Sequence, residues 1–343
     1  MNSFSYAVAG DISNAVSELA AAENSKCIAG GTNLLDLMKE NVVRPSHLVD
    51  LTRLPLTKIE KTADGGLRLG ALVTNAETAY HPQVESRYPL LSKAILAGAT
   101  PQIRNMATNG GNLLQRTRCY YFYDIATACN KRLSGSGCSA IDGFNRIHAI
   151  LGTSDSCIAT HPSDMCVALA ALDATVRVQG RTGERTVPFL EFHRLPSNTP
   201  EIDTNLAPDE IIVSIDLPAK GFVEQHAYLK LRDRTSYAFA VVSVAVGLEM
   251  SGEQITEARL ALGGVAHKPW RVPDAERLLI GGPASDQNFA RAAEAILTGA
   301  KGYKYNAFKI ELAKRAIVRA LQQAVTMEDI HDSQIHRTTT EPR

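Results

Sequence analysis

Neither sign of charge prevails in this sequence. Its 36 lysines and arginines offset 36 aspartates and glutamates, which leaves no net charge and a pI near 7.1. Without a basic excess the chain lacks the footprint of nucleic-acid binding or of attachment to acidic membranes. No apolar run approaches the ~20 residues of a membrane-spanning helix. The opening "MNSFSYAVAGDISNAV" has no basic stretch followed by an apolar core, so no signal peptide is expected. Six cysteines in 343 residues are too few for a disulfide-built fold. They are unevenly spread: three of the six fall between Cys119 and Cys138.

What is present reads as an ordinary globular chain, 45% hydrophobic, long enough for two or three domains. "DISNAVSELAAAE" predicts a helix capped by Asp11 or Ser13. "KCIAG" predicts a strand, "TNLLDLMKE" a helix and "HLVDLT" a strand. "KIEKT" and "LRLGALVT" flank an Asp-Gly-Gly turn. "SDMCVALAALDATVRVQG" reads as a helix running into a strand. "DEIIVSIDLP", "HAYLKLRD", "AFAVVSVAVGLEM" and "EQITEARLALGG" read as successive strands of one sheet, followed by helices up to about residue 325. Strands followed by helices predict an α+β domain over 222–325. The remaining 326–343 reads as a polar tail.

Two glycine pairs share a design. "AGGTNLL" (29–35) and "NGGNLL" (109–114) each set Gly-Gly before Thr or Asn and an apolar pair. Glycine lets backbone approach a ligand closely, and N–H groups at a helix start bind phosphate oxygens. Two such loops suit the two sides of one pyrophosphate. Neither fits the G-x-G-x-x-G dinucleotide pattern.

From about 116 to 160 all periodicity disappears, and Cys119, Cys129, Cys138 and Cys157 lie inside that stretch. It has too few periodic apolar residues to build a core, and an irregular segment of this length needs another source of order. Four thiolates around one metal centre supply it. Their x₉, x₈ and x₁₈ spacings lack the C-x₂-C pairs of zinc ribbons. An iron–sulfur cluster, a structural zinc and two disulfides are all compatible with the residues. Cys27 and Cys166 sit on apolar patterns and read as small core residues. His148 and His161 flank the cysteine segment and are expected to hydrogen-bond locally. Tyr120, Tyr121, Phe122 and Tyr123 are expected to anchor it.

Taken together, "AGGTNLL", "PQIRNMATNGGNLLQ", "HPSDMCVALAALDATVRV", "YLKLRDRTSYAFAVVSVAVGL" and "LALGGVAHKPWR" resemble, in order and over most of the chain, the flavin-binding medium subunit of the molybdenum hydroxylases. The resemblance implies an α+β chain with a two-subdomain FAD-binding fold of the PCMH/VAO type (1–55 and 56–221) and a C-terminal α+β domain (222–325). It implies FAD held by Ala29, Gly30, Gly31, Thr32, Asn33 and Leu34 on one side and by Thr108, Gly111 and Asn112 on the other. Asp164 corresponds to the family's flavin-site acid, Ile212 to an apolar residue packed on the flavin, and Lys230 to a lysine near the ring. Read from the residues alone, Asp164 is also a helix N-cap and Lys230 a solvated lysine at a strand end.

Against the commoner family pattern, about 45 residues stand inserted between "GGNLLQ" and "HPSD". "RTRCYYFYDIATACNKR", "GSGC" and "HAILGTSDSCIATHPSD" resemble a branch typified by a bacterial periplasmic aldehyde oxidoreductase. That branch implies a [4Fe-4S] cluster on Cys119, Cys129, Cys138 and Cys157. The implied assembly is a heterotrimer in which a large partner holds the molybdopterin cofactor and a small partner holds two [2Fe-2S] clusters. Electrons then pass through FAD here to an external acceptor, with no nucleic acid or membrane insertion involved. A 4-hydroxybenzoyl-CoA reductase-type subunit and a zinc-stabilised scaffold are the alternatives. The implied location is the periplasm, by co-export with a signal-bearing partner, and otherwise the cytoplasm.

Overall fold

A computed structural model describes residues 2–327, so all but the start of the expected polar tail lies outside the described residues. Strands β1 (Ser5–Val8), β2 (Ser25–Ile28) and β3 (His47–Asp50) form a parallel sheet in the order β1-β3-β2. Parallel neighbours need crossover connections. The helix Ile12–Ala21 provides the first, with Asp11 as its cap accepting the Asn14 N–H at 2.7 Å. Leu34–Lys39 lies on the second, directly after the first glycine pair.

An antiparallel sheet follows, in the order β4-β5-β8-β6-β7. Its strands are β4 (Ile59–Lys61), β5 (Leu67–Gly70), β6 (Thr175–Gly180), β7 (Gly183–Pro188) and β8 (Ile211–Leu217). The sequence grouped β8 with the strands after it. It instead pairs with β5 and β6, filling the gap between two segments about a hundred residues apart.

The third sheet is an antiparallel meander of β9 (Gln225–Leu231), β10 (Val242–Ser251) and β11 (Gln254–Gly263). Every residue of β10 from Val242 to Leu248 is buried. Helix Phe308–Thr326 packs against β9 and β10, while helix Asp164–Ala171 packs against β10 and β11. Burial on both faces explains why "VVSVAVGL" shows no alternation. Helix Asp164–Ala171 is likewise buried at all eight positions. Met165, Val167 and Leu169 each stabilise this junction by about 1.5–3 kcal/mol. This helix brings Asp164 beside the side chains of β9.

Residues 116–160 do form a small apolar cluster, contrary to expectation. Phe122, Ala140, Ile158 and Ala159 pack with Leu37 and the four cysteines. Phe122 is the fully buried anchor of a one-turn helix, Tyr120–Tyr123, whereas Tyr120 is half exposed. The Arg132 guanidinium donates to the carbonyls of Tyr121 and Phe122, both at 2.8 Å. The C-terminal domain grips the other end. The buried Lys309 ammonium donates to the His148 carbonyl at 2.8 Å and the Gly264 carbonyl at 2.5 Å.

Candidate functional site

A cleft of about 1720 Å³ opens between the parallel sheet, the second glycine loop, the 116–160 segment and the start of β10. That exceeds the roughly 300–1,000 Å³ of ordinary small-ligand pockets and suits an extended dinucleotide. Ala29, Gly30, Gly31, Thr32, Asn33, Leu34, Thr108, Gly111, Asn112, Asp164, Ile212 and Lys230 all line it.

The first glycine loop follows β2. A Cβ on Gly30 would sit 1.8 Å from the Met106 carbonyl oxygen, so the two loop regions touch backbone to backbone. Gly31 has φ of +69°, which favours glycine. Among the described residues, none of the backbone N–H groups from Gly30 to Leu34 has a hydrogen-bond partner in the chain. Five successive open donors before a short helix form a concavity suited to an anion. The Asn33 side chain is engaged outward, its Oδ1 accepting the Arg116 N–H at 2.8 Å.

The second loop is the opposite case. Its Asn109 and Gly110 N–H groups donate to the Val73 and Ala71 carbonyls at 2.9 and 2.8 Å. The Gly111 N–H donates to Thr108 Oγ1 at 3.2 Å, and the Asn112 N–H to the Thr108 carbonyl at 2.8 Å. The Asn112 side chain is also committed. It donates to Asn75 Oδ1 at 2.6 Å and accepts from Gln115 at 2.9 Å and Ser163 at 2.5 Å. Asn75 and Thr78 continue the network to the buried Asn109.

At the far end of the cleft, Ser163 and not Asp164 caps the helix, accepting the Cys166 N–H at 3.0 Å. That frees the Asp164 carboxylate to accept from Lys230 Nζ at 2.8 Å and Tyr228 Oη at 2.6 Å. Lys230 is therefore no solvated lysine: its side chain is 5% exposed, and it also donates to the Ala97 carbonyl at 2.9 Å. Two of its three N–H donors are placed, leaving one for the cleft. Burial, then the Asp164 charge, hold the Tyr228 phenol well above its usual range, so it stays a donor. Tyr228 was missed in the sequence. The period-two alternation of β9, which puts residues 228 and 230 on one face, was the available signal. Ile212 is buried on β8 at the cleft wall.

Cys119, Cys129 and Cys157 are buried and Cys138 is half-buried, all within the apolar cluster described above. None of the six cysteines is in a disulfide. Burial pushes the Cys119 thiol up to about 12 and Cys157 up to about 11, and also raises Cys138. Backbone N–H groups of Phe122 and Tyr121 oppose this at Cys119, as do those of Ala140, Ile141 and Ile158 at Cys138 and Ala159 at Cys157. The sulfurs sit in an apolar nest lined with donors, which suits thiolates whose charge a metal centre neutralises. Among the described residues the only cluster of three or more metal-capable donors mutually within 4.8 Å is His161, Cys166 and His193. Arg118, Tyr120, Lys131 and Arg132, neighbours of Cys119 and Cys129 in sequence, line the cleft.

The buried histidines brace the second loop. His193 Nε2 donates to the Leu113 carbonyl at 2.9 Å, and the His161 ring lies 4.3 Å from it, with Nδ1 accepting the Ser163 N–H at 3.4 Å. Burial lowers His193 to about 4 and His161 well below its usual value, so both are neutral. Asp203 also went unread in the sequence. Burial pushes its carboxyl up, but Lys131, Arg116 and His267 together hold it well below the usual range. Its pairs with the buried Lys131 and with Arg116 at 2.7 Å clamp the cysteine segment.

Residues 2–220 match the FAD binding domain in molybdopterin dehydrogenase, and residues 226–324 the CO dehydrogenase flavoprotein C-terminal domain. The chain belongs to the FAD-binding medium subunits of the molybdenum hydroxylases. It is 47% identical to the aldehyde oxidoreductase FAD-binding subunit of Escherichia coli, over 94% of this chain and 99% of that one. It is 28% identical to the glyceraldehyde dehydrogenase medium chain of Sulfolobus acidocaldarius, over 82% and 83%. Carbon monoxide dehydrogenase of Hydrogenophaga pseudoflava matches in structure with a TM-score of 0.74 and 26% identity, over 95% and 98% of the two chains. As a medium subunit of this family, the chain is part of an oxidoreductase complex and has a flavin-binding fold. The open amides at Gly30–Leu34 and the cleft around the buried Asp164–Lys230 pair fit FAD.

Proposed function

We propose that this chain is the FAD-bearing electron-transfer subunit of a heterotrimeric, molybdenum-containing aldehyde oxidoreductase, and that it carries a [4Fe-4S] cluster on Cys119, Cys129, Cys138 and Cys157. The observation that carries the reading is that the four cysteines gather in one apolar cluster, three of them with backbone donors at the sulfur, and that their sequence neighbours line the flavin cleft. The 47% identity to an aldehyde oxidoreductase subunit supports aldehydes as the substrates of the complex. FAD supplies the junction between one-electron carriers, here the [2Fe-2S] clusters of the small partner, and an external acceptor.

The chain's own residues have separable tasks. The open amides of Gly30–Leu34 hold the pyrophosphate, and Thr108, Gly111 and Asn112 form the opposite wall. Lys230, fixed by Asp164 and Ala97, presents a positive charge where reduction adds a negative one. Tyr228 donates to Asp164 and orients its carboxylate. Ile212 gives the flavin an apolar surface. Oxidation of the aldehyde belongs to the large molybdopterin-binding partner.

Metal and flavin analysis of the co-purified complex tests the reading. About eight irons per heterotrimer are expected beside flavin absorption, four on this chain's Cys₄ site and four in the small partner's two [2Fe-2S] clusters. Only about four irons per heterotrimer, with or without one zinc, would overturn the cluster. Cys129→Ser is expected to lose iron, and unchanged iron would remove that residue as a ligand. On the resemblance to the exported branch, we place the complex in the periplasm, carried by a signal on the large partner. Deleting that signal is expected to leave this chain in the cytoplasmic fraction, and its export regardless would refute co-export.

A further inference from the structure

We propose that His148 is a positioning residue for the cluster: its Nε2–H donates to the Cys119 sulfur and raises the reduction potential of the centre. The inference rests on the cluster reading above.

The contact is direct. His148 Nε2 lies 3.0 Å from Cys119 Sγ, with the ring 1% exposed. Among the described residues, no other side chain is hydrogen-bonded to any of the four sulfurs; the other donors are backbone N–H groups. A metal-bound cysteine is a thiolate and brings no proton, so the hydrogen in this contact belongs to the imidazole. That assigns the Nε2–H tautomer and leaves Nδ1 as a bare lone pair. Nδ1 has no partner in its buried surroundings.

The ring is held in place from both sides. Tyr120 and Tyr121 flank it, with centroids 6.4 and 6.3 Å away. Its backbone N–H donates to the Asn145 carbonyl at 3.0 Å, and its carbonyl accepts from Lys309 at 2.8 Å and Asn306 at 3.2 Å. The C-terminal domain thus fixes the position of a donor to one ligand. Hydrogen bonds to ligand sulfurs withdraw negative charge and favour the reduced, more negative state of a cluster.

The test uses the whole complex with His148→Leu and His148→Gln, followed by iron analysis and a redox titration read by electron paramagnetic resonance. With iron retained, the midpoint is expected to move to lower potential in His148→Leu and to recover in part in His148→Gln, whose amide restores a donor. Full iron with an unmoved midpoint in both variants would overturn the proposal. In case a variant fails to assemble, the wild-type complex labelled with ¹⁵N-histidine provides a second reading. A weak nitrogen coupling to the reduced cluster is expected, and its absence, or a strong coupling that makes His148 a ligand, would overturn the role. Wild-type complex with only the small partner's irons, about four, would instead remove the cluster reading, and this inference with it.

Discussion

The two glycine pairs look alike in sequence and are built in opposite ways. In the first, the backbone amides from Gly30 to Leu34 have no hydrogen-bond partner among the described residues, and the loop is held by close approach to Met106. In the second, the amides and the Asn112 side chain are spent on the loop itself, which is tied to β5, the helix cap and Ser163. One loop keeps its donors for a ligand, and the other is a rigid wall. A Gly-Gly motif therefore reports backbone crowding, while its hydrogen-bond partners decide whether it binds.

The most disruptive way to probe this difference is Gly30→Ala. A methyl 1.8 Å from the Met106 oxygen forces the loops apart at a cost of about 1–3 kcal/mol, and flavin affinity is expected to fall about tenfold or more. Flavin content after gel filtration reads this directly, and full occupancy would mean that the amide cradle is not where FAD sits.

Acid should attack the other loop. His193, which holds Leu113, and His267, beside Asp203, are neutral when folded because burial lowers each to about 4. Below the free value of about 6.5 the unfolded chain binds protons that the folded chain does not, so stability falls as pH drops from 6.5 to 4. At pH 5 each histidine costs about 2 kcal/mol. Asp203 keeps its charge across that window. Hydrogen exchange is expected to show protection at 109–112 falling between pH 7 and 5, and unchanged protection there would contradict the role of these histidines. Asn112→Leu attacks the same wall at neutral pH. Leaving Asn75, Gln115 and Ser163 without their partner is expected to cost about 1–3 kcal/mol in thermal unfolding, with a smaller loss of flavin. An unchanged melting temperature would show that the network does not brace the loop.

Much of this could be read in the chain, and the failures share a cause. The helix at Phe308–Thr326 and the apolar strand β10 are local patterns, and both were legible. The sheet to which β8 belongs was not, because its neighbours β5 and β6 come from distant segments. In the site, glycine pairs and clustered cysteines are rare enough to stand out. Asn75, Asp203 and Lys131 are common residue types in unremarkable contexts, and their importance comes only from what the fold places against them. Lys230 shows the same limit from the other side: its sequence also fits a solvated lysine, and only Asp164, 66 residues away, decides otherwise.

The smallest expected effect is the sharpest test of the contrast. A Cβ at Gly111 would lie 3.0 Å from Thr108 Oγ1, tight but against the end of a side chain, and its backbone is not in the left-handed region. The Gly111 amide is already bonded to that oxygen, so a methyl there blocks no free donor. Gly111→Ala is therefore expected to cost under about 1 kcal/mol and to keep flavin within about fivefold of the parent, since that energy is less than a tenfold change in affinity. If it emptied the flavin site as Gly30→Ala should, the second loop would be a ligand cradle as well, and the asymmetry between the loops would fail.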